Sequence, residues 1–182
     1  MNQFTRTTQF LIPTALAQPE VDHLLRSILP AVHHEAHGES AEYFFLTREP
    51  ANICTARLET NEHAVGISVQ PKASYAADLT VALGPDRTAI AFLRQLLGRE
   101  ITVIRSKYSH FTVENESQVW TETVTGFDYV MLTINAADSS TLFTLANHVK
   151  DQLQQDAKIT LLPESRSRYE MFVAQLVRPG EV

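Results

Sequence analysis

The chain has 182 residues, 44% of them hydrophobic, which is ordinary for a soluble globular domain with one well-filled core. Its 15 basic and 21 acidic residues give a formal net charge of -6. This balance argues against a nucleic-acid partner, because binding to a phosphate backbone needs clustered Lys and Arg. No apolar run approaches the roughly 20 residues of a membrane span, and the N-terminal residues lack the pattern of a secretory signal. We therefore expect one domain over residues 1–182, cytoplasmic and without a membrane partner.

The first half of the chain predicts two helices among several strands. Residues 3–12 alternate and are rich in Thr and Phe, which indicates a strand. Pro19 suits the first position of a helix, and the apolar residues after it follow the spacing of an amphipathic helix. The remaining runs predict strands over 41–47, 53–59, 63–70 and 75–83 and a second helix over 85–97.

The second half predicts more strands and two further helices. The strand-like runs cover 100–107, 108–114, 117–124, 127–136 and 158–163. Asp138 and Ser139 are typical residues to cap a helix, and apolar residues from Leu142 to Leu153 give that helix one apolar face. A last helix is predicted over 164–177. The order indicates an α+β domain, mostly an antiparallel β-sheet, with three to four flanking helices.

A cluster of histidines stands in the segment LPAVHHEAHGES, residues 29–40. On a helix, His33 and His37 would share a face and could ligate one zinc, but His34, Glu35 and His37 do not form the HExxH pattern. Histidines in a last helical turn, followed by a glycine, are also typical of a helix end. We favour the helix end, and metal binding by the His33, His34 and His37 cluster stays open.

Several stretches, taken in order, resemble the strands of one enzyme superfamily. Arg57 in TARLE, Lys72 at the end of ISVQPK, and Arg105 and Lys107 in VIRSKY match its basic strands. In WTETVTGFDYVMLTI, Glu122, Val124 and Gly126 are in register with a later strand motif, and SRSRYEMF is similar to the closing helix. The superfamily is CYTH, which includes class IV adenylyl cyclases, thiamine triphosphatases and inorganic triphosphatases.

The resemblance implies a sheet curled into a barrel or tunnel that encloses a triphosphate. The implied ligand-binding residues are Arg57, Lys72, Arg105 and Lys107, which could bind a polyanion through charge-assisted hydrogen bonds. Where the family has the metal-binding motif ExExK, this chain has Thr5, Thr7 and Gln9, and the later strand YVMLTI has no acid. Because Mg²⁺ and Mn²⁺ need oxygen ligands, we expect metal-dependent chemistry to be lost. The acids nearest the family's metal positions are Glu122 and Asp128.

Three functions remain open. The first is a non-catalytic or weakly catalytic domain, a pseudoenzyme that binds a phosphate-rich anion such as a nucleotide or polyphosphate and needs no cofactor. The second is a protein-interaction scaffold, as in certain head subunits of the Mediator complex, with a protein partner or a second copy in a homodimer. The third is a triphosphatase dependent on Mg²⁺ or Mn²⁺, with carboxylates drawn from Glu39, Glu42, Glu59, Glu114, Glu116 and Glu122.

Overall fold

The computed structural model describes most of the chain and places it in one large antiparallel sheet. The described residues are 6–13, 16–46, 53–61, 65–71, 79–81, 91, 94–95, 99–166 and 168–176. Within 53–61, 65–71 and 79–81, the description covers the backbone and its pairing.

Nine strands form this sheet in the order β5-β4-β3-β2-β6-β7-β8-β1-β9, with every described pairing antiparallel. Their bounds are β1 Arg6–Ile12, β2 His34–Leu46, β3 Ile53–Asn61, β4 Val65–Pro71, β5 Leu79–Val81, β6 Arg99–Thr112, β7 Gln118–Val124, β8 Val130–Ala136 and β9 Leu162–Pro163. The predicted α+β class with an antiparallel sheet is confirmed. Among the described strands, β5 and β9 each have one neighbour, so their pairing leaves the sheet open, and the closed tunnel stays a prediction.

Three helices are described: α1 Gln18–Ile28, α2 Ser139–Asp156 and α3 Arg168–Leu176. In α1, the carboxylate of Glu20 accepts a hydrogen bond from the Ala17 N–H at 2.7 Å. In α2, the predicted cap is present, because Asp138 accepts hydrogen bonds from the N–H groups of Ser140 and Thr141. The helix predicted over 85–97 lies largely outside the described residues. No helix in the described part of the chain is both long and apolar enough to span a membrane.

The main core lies between the sheet and the helices α1 and α2. Strand residues such as Phe111, Val119 and Leu132 are fully buried there, against Leu25 of α1 and Val149 of α2. Burying one such side chain stabilises the fold by about 1.5 to 3 kcal/mol. A smaller apolar cluster of Phe44, Ile104 and Val124 lies on the opposite side of the sheet, and Phe172 of α3 packs against it.

The histidine segment corrects one prediction. Helix α1 ends at Ile28, so the histidines are not its last turn, and the helix-end interpretation is wrong. Residues 34–46 instead form β2, which begins seven positions before the predicted strand and pairs with β6. Pro30 lacks a backbone N–H and disfavours further helix, so the polar segment extends and takes its hydrogen bonds from a neighbouring strand.

Candidate functional site

The sheet has two chemically different faces. One face packs on α1 and α2 and is mainly apolar. The other face, which we call the polar face, carries alternate residues of the same strands. Its members on β1, β2, β6, β7 and β8 include Thr7, Gln9, Ser40, Ser106, Tyr108, His110, Trp120, Glu122, Thr133 and Asn135. Because neighbours in register project from the same side of a sheet, these ten positions form one continuous surface.

Glu122 lies near the centre of the polar face and is only 4% exposed. Its carboxylate accepts a hydrogen bond from the Ser106 hydroxyl, and the Ser40 hydroxyl lies 3.5 Å away. The hydroxyl oxygens of Ser40 and Ser106 are themselves 2.7 Å apart. A buried carboxylate needs such donors, so the two serines stabilise Glu122 inside the sheet.

An aromatic row lies beside Glu122 on the same face. His110 stacks on Trp120 with ring centroids 4.1 Å apart, and Tyr108 lies 5.4 Å from Trp120. Burial lowers the pKa of His110, and the neighbouring His34 lowers it further, so the neutral ring is favoured. Two buried ring nitrogens, Nε2 of His110 and Nε1 of Trp120, have no hydrogen-bond partner. The polar face therefore retains unused hydrogen-bonding capacity in a buried setting.

The first strand supplies neutral side chains to this face. The Thr7 hydroxyl donates to Oδ1 of Asn135 at 2.9 Å, and Gln9 is in register with Thr133. These are two of the three positions where the family motif has carboxylates and an amine, and the third, Thr5, lies outside the described residues. The described part of β1 thus offers hydroxyl and amide groups in place of metal ligands.

Two of the predicted basic residues, Arg105 and Lys107, lie away from the polar face. Arg105 and Lys107 share one face of β6, as expected. They lie an even number of residues from Phe111 on this strand, so they are on the same side of the sheet as Phe111, whose side chain packs toward the helices. Both are exposed, and Lys107 Nζ lies 4.0 Å from a carboxylate oxygen of Glu39. Arg57 is in register with Glu42, and Lys72 lies outside the described residues. Of the four predicted basic residues, only Arg105 and Lys107 have described side chains, and these two lie on the same side of β6.

A polar network that the sequence analysis missed ties α1 to the helix side of the sheet. Buried Asp22 accepts hydrogen bonds from the hydroxyls of Ser109, at 2.6 Å, and Thr121. Gln18, also buried, donates to the Thr121 carbonyl at 3.2 Å, and His37 Nδ1 lies 2.9 Å from the Ser109 hydroxyl. The sequence contained a signal for this network, because Gln18 and Asp22 lie on the same side of α1 as its buried apolar residues Val21 and Leu25.

The carboxylates proposed for metal binding are dispersed. Asp128 is exposed after the turn that follows β7, and Glu114 and Glu116 lie in a short 3-10 helix before that strand. Glu39 is exposed beside Lys107. Within the described residues, no three His, Cys, Asp or Glu side chains converge in a metal-binding arrangement. This includes the histidine cluster, where His37 Nε2 instead faces the Glu35 carboxylate at 2.9 Å.

The overall fold is shared with solved structures of low sequence identity. The PH1819 protein of Pyrococcus horikoshii OT3 is 13% identical, with a TM-score of 0.67 over 96% of this chain and 99% of that chain. A putative adenylate cyclase from Vibrio parahaemolyticus is 16% identical, with a TM-score of 0.62 over 95% and 99%. HpAC1 from Hippeastrum, described as a putative adenylyl cyclase with a dominant triphosphatase activity, is 10% identical, with a TM-score of 0.62 over 95% and 97%.

Sequence comparison alone gives no such relation, since no protein-family model and no curated protein matches the chain. At these identities the structural likeness establishes the fold and leaves the activity to be argued from the residues. The resemblance inferred from the order of the strand motifs is confirmed at this level: the chain has a CYTH-like fold.

Proposed function

We propose that this chain is a non-catalytic CYTH-like domain that binds a phosphate-rich ligand, such as a nucleotide or polyphosphate, at the polar face. The observation that carries the proposal is the state of Glu122. Its carboxylate is buried and accepts a hydrogen bond from Ser106, with Ser40 beside it. A carboxylate engaged in this way, without a second acid converging on it among the described residues, is a poor site for Mg²⁺ or Mn²⁺.

Binding is supported by the polar groups that remain on the face. The unpartnered nitrogens of His110 and Trp120 can interact with a ligand, Thr133 is in register with Trp120, and Gln9 is in register with Thr133 on the next strand. Neutral hydroxyl, amide and indole donors can position phosphate or ribose oxygens, but each contributes only about 0.5 to 1.5 kcal/mol. Tight binding of a polyanion therefore needs cations as well.

In this proposal the cations come from Arg57 and Lys72 rather than from Arg105 and Lys107. Arg57 occupies the register position opposite Glu42, on the strand next to β2. Arg105 pairs with Ala41, one position out of phase with Glu42, and its exposed side chain lies on the helix side. The four basic residues therefore divide into Arg57 and Lys72, which we propose as ligand-binding residues at the polar face, and Arg105 and Lys107, which serve as controls.

The binding test is a series of thermal melts with tripolyphosphate and with ATP. A ligand at 100 times its dissociation constant adds about 2.7 kcal/mol, which for this chain length corresponds to a rise of roughly 5 to 10 °C. We expect this rise for the native chain and for Arg105→Ala, and a much smaller one for Arg57→Ala. Equal losses in both variants would indicate non-specific charge attraction and would contradict the proposed face.

The catalytic test measures phosphate release from tripolyphosphate with Mg²⁺ or Mn²⁺. We expect no release above the rate without protein. Metal-dependent release that Glu122→Gln abolishes would instead support the triphosphatase alternative. In that case the buried carboxylate would have to leave its serine partners to reach a metal.

A protein-interaction role is the second candidate, and one exposed side chain favours it. Phe143 on α2 is 70% exposed, more than any other large hydrophobic side chain in the described part of the chain. If Phe143 contacts a second copy, light scattering should give a dimer mass that falls to the monomer mass in Phe143→Ser. A concentration-independent monomer would exclude the homodimer and leave only a different protein partner.

A further inference from the structure

A cleft of about 380 Å³ lies on the helix side of the molecule, away from the polar face. It is formed between the first half of α2 and the turn that joins β6 to β7. Its apolar floor includes Val113 and Leu145, and its polar lining includes Glu114, Ser117 and Thr144. The volume is within the range of small-molecule sites, which are typically apolar with a few placed polar groups.

One side chain of this cleft is incompletely bonded. Ser117 is 1% exposed, and its hydroxyl oxygen is buried without a hydrogen-bond partner. Its backbone is fully used, since its N–H donates to the Glu114 carbonyl at 3.3 Å and its carbonyl accepts from the Val113 N–H at 2.9 Å. The turn would form equally well with alanine at this position. A buried hydroxyl without a partner is destabilising, so it indicates a group that arrives from outside the chain.

The charged and polar lining indicates what that group is. Among the described lining residues there is one carboxylate, Glu114, and no Lys or Arg. His148 donates from Nε2 to the Ile28 carbonyl at 2.7 Å, and in this tautomer its Nδ1 can accept a hydrogen bond. The N–H groups of Ser140 and Thr141 at the start of α2 are already bound by Asp138, so these two donors are not available to an anion. The lining thus favours a donor-rich or cationic ligand.

We infer that this cleft binds a small primary ammonium compound with an apolar body. The ammonium lies toward Glu114 and His148, the apolar part lies on Val113 and Leu145, and Ser117 makes the hydrogen bond it lacks in the free chain. The site is independent of the polar face and of the function proposed for it.

The test is an amide NMR titration with phenethylamine, with two matched probes as controls. 2-Phenylethanol keeps the ring without the charge, and 3-phenylpropionate reverses the charge. We expect saturable shifts at Ser117 and Leu145 with phenethylamine, weaker ones with the alcohol, and none with the propionate. Equal shifts with amine and propionate, or no saturable shift with the amine, would overturn the inference.

Two variants separate the roles within the cleft. Glu114→Gln should weaken phenethylamine binding about threefold, as for an exposed ion pair, and leave binding of the alcohol unchanged. Ser117→Ala should raise the unfolding midpoint of the free chain by about 3 °C, because it removes an unpartnered hydroxyl, and it should also weaken binding. A Ser117→Ala chain that melts lower, or binds the amine as tightly as the native chain, would contradict the assignment of Ser117.

Discussion

The two faces of β7 differ in how completely their polar groups are paired. Toward the helices, Val119 is fully buried in the main core, and the Thr121 hydroxyl donates to Asp22. Toward the polar face, Trp120 keeps a buried indole nitrogen without a partner. On the helix face the polar group of Thr121 is paired, whereas on the other face Glu122 is paired and the Trp120 nitrogen is not. Incomplete pairing costs stability, and in our proposal the bound ligand offsets this cost at the polar face.

The same comparison holds for two buried carboxylates. Asp22 on the helix side and Glu122 on the polar face are 3% and 4% exposed, and each accepts a hydroxyl hydrogen bond from β6. Asp22 links a helix to the sheet, so its bonds fix how α1 packs. Glu122 lies within the sheet, and its serine partners come from β2 and β6. Asp22 therefore fixes the position of α1 on the sheet, and Glu122 is part of the polar face.

The largest effect should come from the helix face. Phe111→Ala would remove a fully buried ring and leave a cavity in the main core, so we expect a loss of about 3 to 5 kcal/mol in the free energy of unfolding. Urea denaturation measures this loss. Phe143→Ala is the matched control, because that ring is 70% exposed and its removal should cost less than about 0.5 kcal/mol. Similar losses in the two variants would contradict the placement of the core.

Much of this architecture follows from local sequence patterns. The apolar spacing after Pro19 predicts α1, and Asp138 predicts the start of α2, because both signals act within a few residues. The first part of β2, residues 34–40, carries no apolar alternation, so its strand structure depends on pairing with β6. That pairing is a tertiary interaction between segments far apart in sequence, and no local pattern encodes it.

The face of a strand is harder to predict than the strand itself. Alternation correctly places Arg105 and Lys107 on one side of β6, but that strand is apolar on both sides, with buried Ile104 on one and buried Phe111 on the other. Which side meets the helices is decided by packing across the whole sheet. The prediction that both cations point into a tunnel needed this information about packing, and it stays a prediction, as does that of Glu122 as an acid near the family's metal positions.

A middle-sized effect should come from the polar face. Glu122→Leu would leave the hydroxyls of Ser40 and Ser106 without their carboxyl acceptor, and we expect a loss of about 2 kcal/mol in the free energy of unfolding. Glu122→Gln retains an acceptor oxygen and should cost clearly less. If Leu were tolerated better than Gln in urea denaturation, the carboxylate would not be stabilised by these hydroxyls, and the interpretation of the polar face would have to change.

The smallest effect concerns the segment that leads into α3. The carboxylate of Glu164 accepts hydrogen bonds from the Arg166 guanidinium, at 2.9 Å from Nε, and from the backbone N–H of Ser165 at 3.0 Å. These contacts, that with the Arg166 side chain foremost, lower the pKa of Glu164 to about 2. The backbone N–H of Glu164 donates to the Gln9 carbonyl of β1 at 3.0 Å, so this carboxylate helps to hold the C-terminal segment on the edge of the sheet.

The pH dependence of this contact has a definite sign. Because the pKa of Glu164 is lower in the folded chain than its value of about 4.3 in an unfolded chain, the unfolded state binds the proton first as the pH falls. The stabilisation is therefore complete above about pH 5 and is lost as the pH falls toward 2. Arg166 is half exposed, which weakens the ion pair, so Glu164→Gln should cost about 1 kcal/mol at pH 7. Asp151→Asn, at an exposed position of α2, is the control, and a Glu164→Gln deficit that persisted unchanged at pH 2 would show that the cost comes from packing rather than from charge.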